Sequence, residues 1–292
     1  MFEGVFGAHS PLAPWWPLIA ALLGAIVGSF LNVVILRLPA RLEWSWRQQA
    51  REFLGQDSGD AKTAPPGLVF DHSRCPACQA PIRAWQNIPV VSWLLLRGRC
   101  AACRTGISWQ YPLVELITAL ASLAVALKFG FTFEAVAALG FTWTLVALCG
   151  IDFRTQLLPD QLTLSLMWAG LLLSLHPLFV SPVQAILGAA LGYLSLWSVF
   201  WLFRLATGKE GMGYGDFKLL AALGAWLGAT ALLPIVLIAS LSGAIIGGIY
   251  LALRHGGESK PFAFGPYLAI AGWIQLMAGD WLLARYFALL GV

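Results

Sequence analysis

Long uncharged apolar runs alternate with short polar turns along almost the whole chain. Crossing a bilayer as a helix takes roughly 17–25 predominantly apolar residues. Eight segments meet that pattern: about 15–36, 111–127, 134–151, 161–178, 183–203, 217–230, 231–253 and 263–284. The stretch 217–253 is nearly unbroken, and the split near Gly228 decides between eight spans and seven. The expected fold class is an all-α polytopic membrane protein of about eight transmembrane helices. Composition agrees: the chain has 292 residues, 59% hydrophobic, only 11% charged, with 14 Trp. A mean hydropathy of +0.76 exceeds what a soluble globule can bury.

Charge then sets an orientation. Ten of the 18 Lys and Arg lie between Arg37 and Arg104, and Arg154, Arg204, Lys209, Lys218, Arg254 and Lys260 follow in later loops. Eight spans with an external N-terminus put these 16 on one side, leaving Lys128 and Arg285 opposite. The positive-inside rule makes that side the cytoplasm. Seven spans would put Arg254 and Lys260 outside. The first span lacks a preceding basic residue and reads as an anchor, not a cleaved signal. The net charge of +4 is explained by topology and by anionic membrane lipid, so no nucleic-acid partner is expected.

The large polar segment, 37–110, divides the chain into 1–36 (external N-terminus and first span), 37–110 (cytoplasmic) and 111–292 (membrane domain). Residues 41–55 read as an amphipathic helix lying in the interface. The stretch 57–67, DSGDAKTAPPG, reads as a flexible linker. Cys75-Pro76-Ala77-Cys78 and Cys100-Ala101-Ala102-Cys103 form two CxxC pairs with 21 residues between them. Two such knuckles can close a tetrahedron of thiolates around zinc, a closed and therefore structural site. Disulfides are the alternative, opposed by a reducing compartment. Cys149, in an apolar run, reads as a buried small hydrophobe.

The candidate chemistry lies in two carboxylates. Asp152 in GIDFRTQLLPD and Asp216 in GKEGMGYGDFKLL each stand where an apolar run meets a polar turn. An ionised Asp at the edge of hydrocarbon is costly and commonly faces a polar cavity or partner. Two at matching depth form a candidate acid–base pair. Each taken alone reads equally well as a helix-boundary residue.

Four ordered blocks resemble the bacterial prepilin peptidases, the type IV leader peptidases of the GxGD aspartic class. They are GSFLNVVILRLP at 28–39, the cysteine segment running from Cys75 to Ala119, GMGYGDFKLLAALGAWLG from Gly211, and PFAFGPYLAIAG from Pro261. The resemblance implies Asp152 and Asp216 as catalytic residues, and Gly213 and Gly215 as the glycines of the active-site loop. Those glycines would permit close backbone approach or positive φ. Asp160 competes with Asp152; the family pattern, in which the first acid precedes Leu-Pro-Asp, favours Asp152 and makes Asp160 the N-cap of the fourth span.

The implied reaction removes a short basic leader from type IV prepilins and type II secretion pseudopilin precursors at the cytoplasmic face of the bacterial inner membrane. Two carboxylates sharing one proton would activate water and protonate the leaving amine. The family is commonly bifunctional, N-methylating the new N-terminus with S-adenosylmethionine. Glu43 and Gly98 match positions linked to that activity. Glu43 reads equally as an i,i+4 partner of Arg47. Gln86 in WQNIP departs from the family, which carries an acid there. Other readings are a peptidase without methylase activity, a proton-coupled transporter with a zinc module, and an anchored zinc-ribbon adaptor.

Overall fold

The computed structural model describes residues 10–55, 63–209, 211–253 and 263–290. It comprises α1 (Trp16–Phe53), α2 (Val91–Leu95), α3 (Gln110–Phe129), α4 (Phe133–Thr155), α5 (Asp160–Leu173), α6 (Pro182–Thr207), α7 (Tyr214–Leu227), α8 (Leu232–Leu253) and α9 (Gly265–Leu290), with three short 3₁₀ turns. Among the described residues the only β pairings are two isolated bridges, Arg74 with Pro81 and Arg99 with Gly106. The chain forms two compact units, 1–147 and 148–292, and α4 contributes to each.

Each of the eight expected apolar segments is a helix. Among the described residues, five helical stretches are long and apolar enough to cross a membrane: Ala13–Phe53, Gln110–Phe129, Phe133–Thr155, Pro182–Thr207 and Ala229–Ile249. α5 and α7 depart from the expectation, with 14 residues each. At 1.5 Å per residue each rises about 21 Å, short of a hydrocarbon core of about 30 Å. The split near Gly228 is real. Gly228 takes φ +82°, a left-handed value that glycine adopts freely, and ends α7 before α8 begins.

The amphipathic segment 41–55 is not a separate helix. α1 runs unbroken through Pro39 to Phe53, a length of about 57 Å at 1.5 Å per residue. That exceeds a bilayer core, so the polar end continues the span instead of starting anew. The described part of the linker is pinned to this end. Arg37 Nη1 donates to the carbonyls of Gly67 and Asp71, and Arg41 Nη1 donates to that of Pro65 at 2.9 Å. Residues 57–62 of the linker, Arg254, Lys260, and Pro261 and Phe262 of the last block lie outside the described residues.

In the first unit α1 packs on α3. Asn32, buried at their contact, donates from Nδ2 to the Tyr111 carbonyl at 3.1 Å. Trp143 of α4 donates to Ser122 Oγ of α3 at 2.9 Å. In the second unit α7 is the hub, packed by α5, α6 and α9, and residues 219–226 are all buried. Lipid is as apolar as leucine, so helices associate here by close packing and buried hydrogen bonds. α6 meets α7 backbone to backbone at Gly188 and Gly224, an approach any Cβ would block. Trp226 Nε1 reaches the Leu166 carbonyl of α5 at 2.7 Å. Outward faces carry exposed Leu18, Leu22, Ile26, Leu116, Leu120, Ile186, Leu191, Leu237 and Leu241, as a lipid-facing surface requires.

Candidate active site and metal centre

Asp216 sits in the first turn of α7, three residues after its N-cap, Gly213. A residue at that position can reach back to the cap amide, as the acidic member of a capping box does. The Gly213 amide donates to the Asp216 carboxylate, and the Asp216 amide bonds the Gly213 carbonyl at 3.3 Å. Gly213 itself is extended, φ −81° and ψ 148°, so no positive φ is involved. Gly215 serves close approach instead. A Cβ there would lie 2.6 Å from Leu158 Cβ, so α7 rests on that side chain.

Asp152 stands near the C-terminal end of α4, where a helix dipole opposes negative charge. It is buried, 4% exposed, as is Asp216 at 7%. Compensation comes from α9. The Gly265 amide faces the Asp152 carboxylate. Oδ2 is nonetheless sealed from water without a well-aligned donor among the described residues. The two carboxylates lie within electrostatic reach of one another. Two buried acids so placed can divide the roles of base and acid.

Asp160 has a different partner. It is not the N-cap of its helix, a place taken by Pro159; it is the first residue of α5. Its carboxylate accepts both bonds from Lys218 Nζ, at 2.6 and 2.7 Å, tying α5 to the helix of Asp216. Cys149 is half-buried instead of fully buried, within electrostatic range of Asp152 and Tyr267.

The four knuckle cysteines come together in the first unit. Their sulfurs all lie within 4.8 Å of one another, with Cys75 and Cys103 at 3.8 Å. The knuckles repeat one another 25 positions apart. The Cys75 amide bonds the Ala80 carbonyl and the Cys100 amide that of Thr105; the Gln79 amide bonds the Cys75 carbonyl and the Arg104 amide that of Cys100. Gln79 and Arg104 take matching positive φ, 58° and 60°. The Thr105 hydroxyl and amide hold the Cys103 thiol down to about 6, which favours thiolate at neutral pH. No disulfide joins the described cysteines. The quartet can hold a metal ion.

The comparisons with known proteins follow this division. Residues 22–129 match the bacterial peptidase A24 N-terminal domain, and residues 139–248 match the type IV leader peptidase family. A prepilin leader peptidase/N-methyltransferase of Stutzerimonas stutzeri is 52% identical over 285 residues, 96% of each chain. Proteins of the same name from Pseudomonas aeruginosa and Aeromonas hydrophila are each 54% identical, over 97% of each chain and over 91% and 92% respectively. The chain belongs to the type IV leader peptidase family. No solved structure matches it. The second family domain holds both aspartates, and the first holds all four knuckle cysteines.

Within this leader peptidase, Glu43 and Gly98, the residues the resemblance associates with methylation, have separate partners. Glu43 is half exposed on α1 and pairs with Arg47 at 3.6 Å. Gly98 takes φ +66°, and a Cβ there would lie 2.8 Å from the Trp93 ring, so glycine is required for the turn before Cys100. Gln86 accepts the Arg83 amide through Oε1 at 2.9 Å, a bond a carboxylate would also make.

Sequence reasoning missed Glu115 and Gly265. Glu115 of α3 is buried, and its Oε2 accepts the Val90 amide at 2.7 Å, holding Val90 at φ +59°. An acid inside the apolar run PLVELITA was the available signal. Gly265 was signalled by a glycine-proline pair at a helix start.

Proposed function

We propose that this chain cleaves the short basic leader from type IV prepilins and type II pseudopilin precursors, using Asp152 and Asp216, and then N-methylates the new N-terminal residue. The observation that carries the reading is the burial of these two acids within electrostatic reach, one at the end of α4 and one in the first turn of α7. Family membership makes the chain a multi-pass membrane leader peptidase.

The chemistry follows from the pair. The ionised carboxylate takes a proton from water as its oxygen attacks the scissile carbonyl. The protonated one hydrogen-bonds the carbonyl oxygen, and proton transfer to nitrogen releases the amine. No covalent enzyme intermediate is needed. Burial removes competing water, so each proton has few alternative acceptors. The catalytic face is cytoplasmic and the N-terminus external, as the basic loops favour. The hydrophobic helix of a precursor can then stay in lipid while its leader presents the cleavage point below. The functional parts are 1–36 as anchor, 37–110 as cytoplasmic segment and 111–292 as peptidase domain.

Zinc fits the cysteine quartet. Zn–S bonds of about 2.3 Å in a tetrahedron place sulfurs about 3.8 Å apart, the spacing of Cys75 and Cys103. Cys75, Cys78, Cys100 and Cys103 would hold it, and its contribution is folding energy for the module. S-adenosylmethionine, the expected methyl donor, is not matched by the cavity beside this module. An open cavity of about 510 Å³ beside the module is lined by Arg97, Arg99 and Arg104 without an acid. Three guanidinium groups oppose a sulfonium. A peptidase without methylase activity is the second reading, favoured by this basic lining and by the Glu43–Arg47 pair.

The test is an N-terminal mass measurement on a pilin precursor incubated with the protein in lipid, with and without S-adenosylmethionine. Loss of the leader mass is expected, followed by a single methyl increment. An uncut precursor overturns the peptidase reading; a cut but never methylated product selects the second one. A transporter or adaptor leaves the precursor intact.

A further inference from the structure

The two acids are held by different devices. Asp216 is served by an amide of its own helix, Gly213. Asp152 stands near the end of its helix, where the unpaired backbone groups are carbonyls and repel a carboxylate. Its favourable backbone contact comes from another helix altogether.

The start of α9 explains how. A helix leaves its first four amides without internal partners. In α9 the second position is Pro266, which has no N–H. The amides of Tyr267 and Leu268 are both spent on the Phe264 carbonyl. Gly265 therefore keeps the one uncommitted amide of this turn, and it faces Asp152. The missing side chain matters equally. A Cβ on Gly265 would lie 2.6 Å from Asp152 Oδ2, 3.1 Å from its Cγ and 3.0 Å from Leu158 Cδ1. The same Leu158 side chain fills the space beneath Gly215, two residues from Gly213. Leu158 is thus the spacer between the N-terminal turns of α7 and α9, with Asp152 against it.

We propose that Gly265 is a positioning residue for cleavage: its uncommitted amide and its lack of a side chain together seat the buried Asp152 carboxylate opposite Asp216. This rests on the reading of Asp152 and Asp216 as the hydrolytic pair. Gly265 acts through Asp152 and touches no reacting atom. A displaced carboxylate misaligns the attacking water without changing how the precursor binds, so kcat falls while KM holds.

The experiment uses the full-length protein in lipid vesicles and a pilin precursor, with kcat and KM measured separately. Gly265→Ala is expected to lower kcat on the order of 100-fold, the usual cost of misplacing a reacting group by about 1 Å, with KM within about threefold. Gly272→Ala, on the same helix as Gly265, inserts a Cβ 2.5 Å from Leu223 of α7 and controls for packing. It is expected to lower the thermal midpoint as much as Gly265→Ala while keeping kcat. The double variant Gly265→Ala with Leu158→Ala removes the aliphatic clash and guards against misfolding; it should stay slow, since the clash with Oδ2 remains. Recovery of kcat in that double variant, or an unchanged kcat in Gly265→Ala, overturns the proposal and makes Gly265 a packing residue only. Asp152→Asn in the same assay separates the two readings. If it cleaves normally, the pair itself is wrong; if it is dead while Gly265→Ala is active, only the positioning role fails.

Discussion

The cysteine module and the aspartate site are built in opposite ways. Each knuckle is closed by its own backbone, within six residues, and the second repeats the first 25 positions later. The aspartate site draws on four separated segments: the end of α4, the Leu158 turn, the start of α7 and the start of α9. A locally made site depends on its ligands and on the metal they hold. A site made at a distance depends on every helix that delivers a group to it. The module should therefore fail through the loss of metal, and the aspartate site through small displacements.

The largest expected effect is at the acids. Asp152→Asn and Asp216→Asn each remove a carboxyl group proposed to transfer a proton, at an expected cost on the order of 10²–10⁴ in kcat. Leader cleavage should become undetectable by mass measurement, while zinc content stays at one ion per chain. Loss of zinc in either variant would break the comparison, because it would couple the two regions.

Next in size is metal loss. Structural zinc sites bind with about 10–16 kcal/mol of apparent free energy, which is folding energy for a small module. Cys103→Ser, or prolonged chelation, should release the ion and open residues 75–103 to limited proteolysis. Cleavage should persist at a reduced rate. Two disulfides in a metal-free preparation would refute the zinc reading outright.

Gly98→Ser sharpens the contrast. It forces a side chain into left-handed backbone and toward the Trp93 ring, at a cost of roughly 1–3 kcal/mol in strain. Methylation should fall several-fold more than cleavage, read from the two mass steps. Equal losses would mean that the module serves both activities.

The smallest effect belongs to Lys218→Ala. It breaks the pair with Asp160, which is half exposed, and pairs of this kind contribute about 0–1 kcal/mol. Cleavage should stay within about threefold. A large loss would return Asp160 to the chemistry and overturn the preference for Asp152.

Much of this was legible in the chain itself. Among the described residues, apolar run length located α1 and α3 to α9, though not the shortness of α5 and α7, because hydrocarbon demands a continuous hydrogen-bonded segment whatever it packs against. The CxxC spacing located a cysteine quartet that can hold a metal ion, because a knuckle is local geometry. Carboxylates at apolar boundaries marked Asp152 and Asp216, since an uncompensated charge there is costly.

What the sequence left open was decided by contacts between distant segments. Continuity of α1 through Pro39 abolished the expected break before residue 41, since the helix carries on past the membrane core. Pairing with Lys218, 58 residues away, gave Asp160 a partner on α7, while the N-cap place went to Pro159. Gly213 and Gly215 were expected to share a role, yet one caps α7 with its amide and the other makes room for Leu158. Local pattern therefore determined the helices and the knuckles, and it marked the two acids as candidates. Only the tertiary structure decided what holds each acid in place, because a buried carboxylate takes its donors from whichever backbone the fold brings within reach.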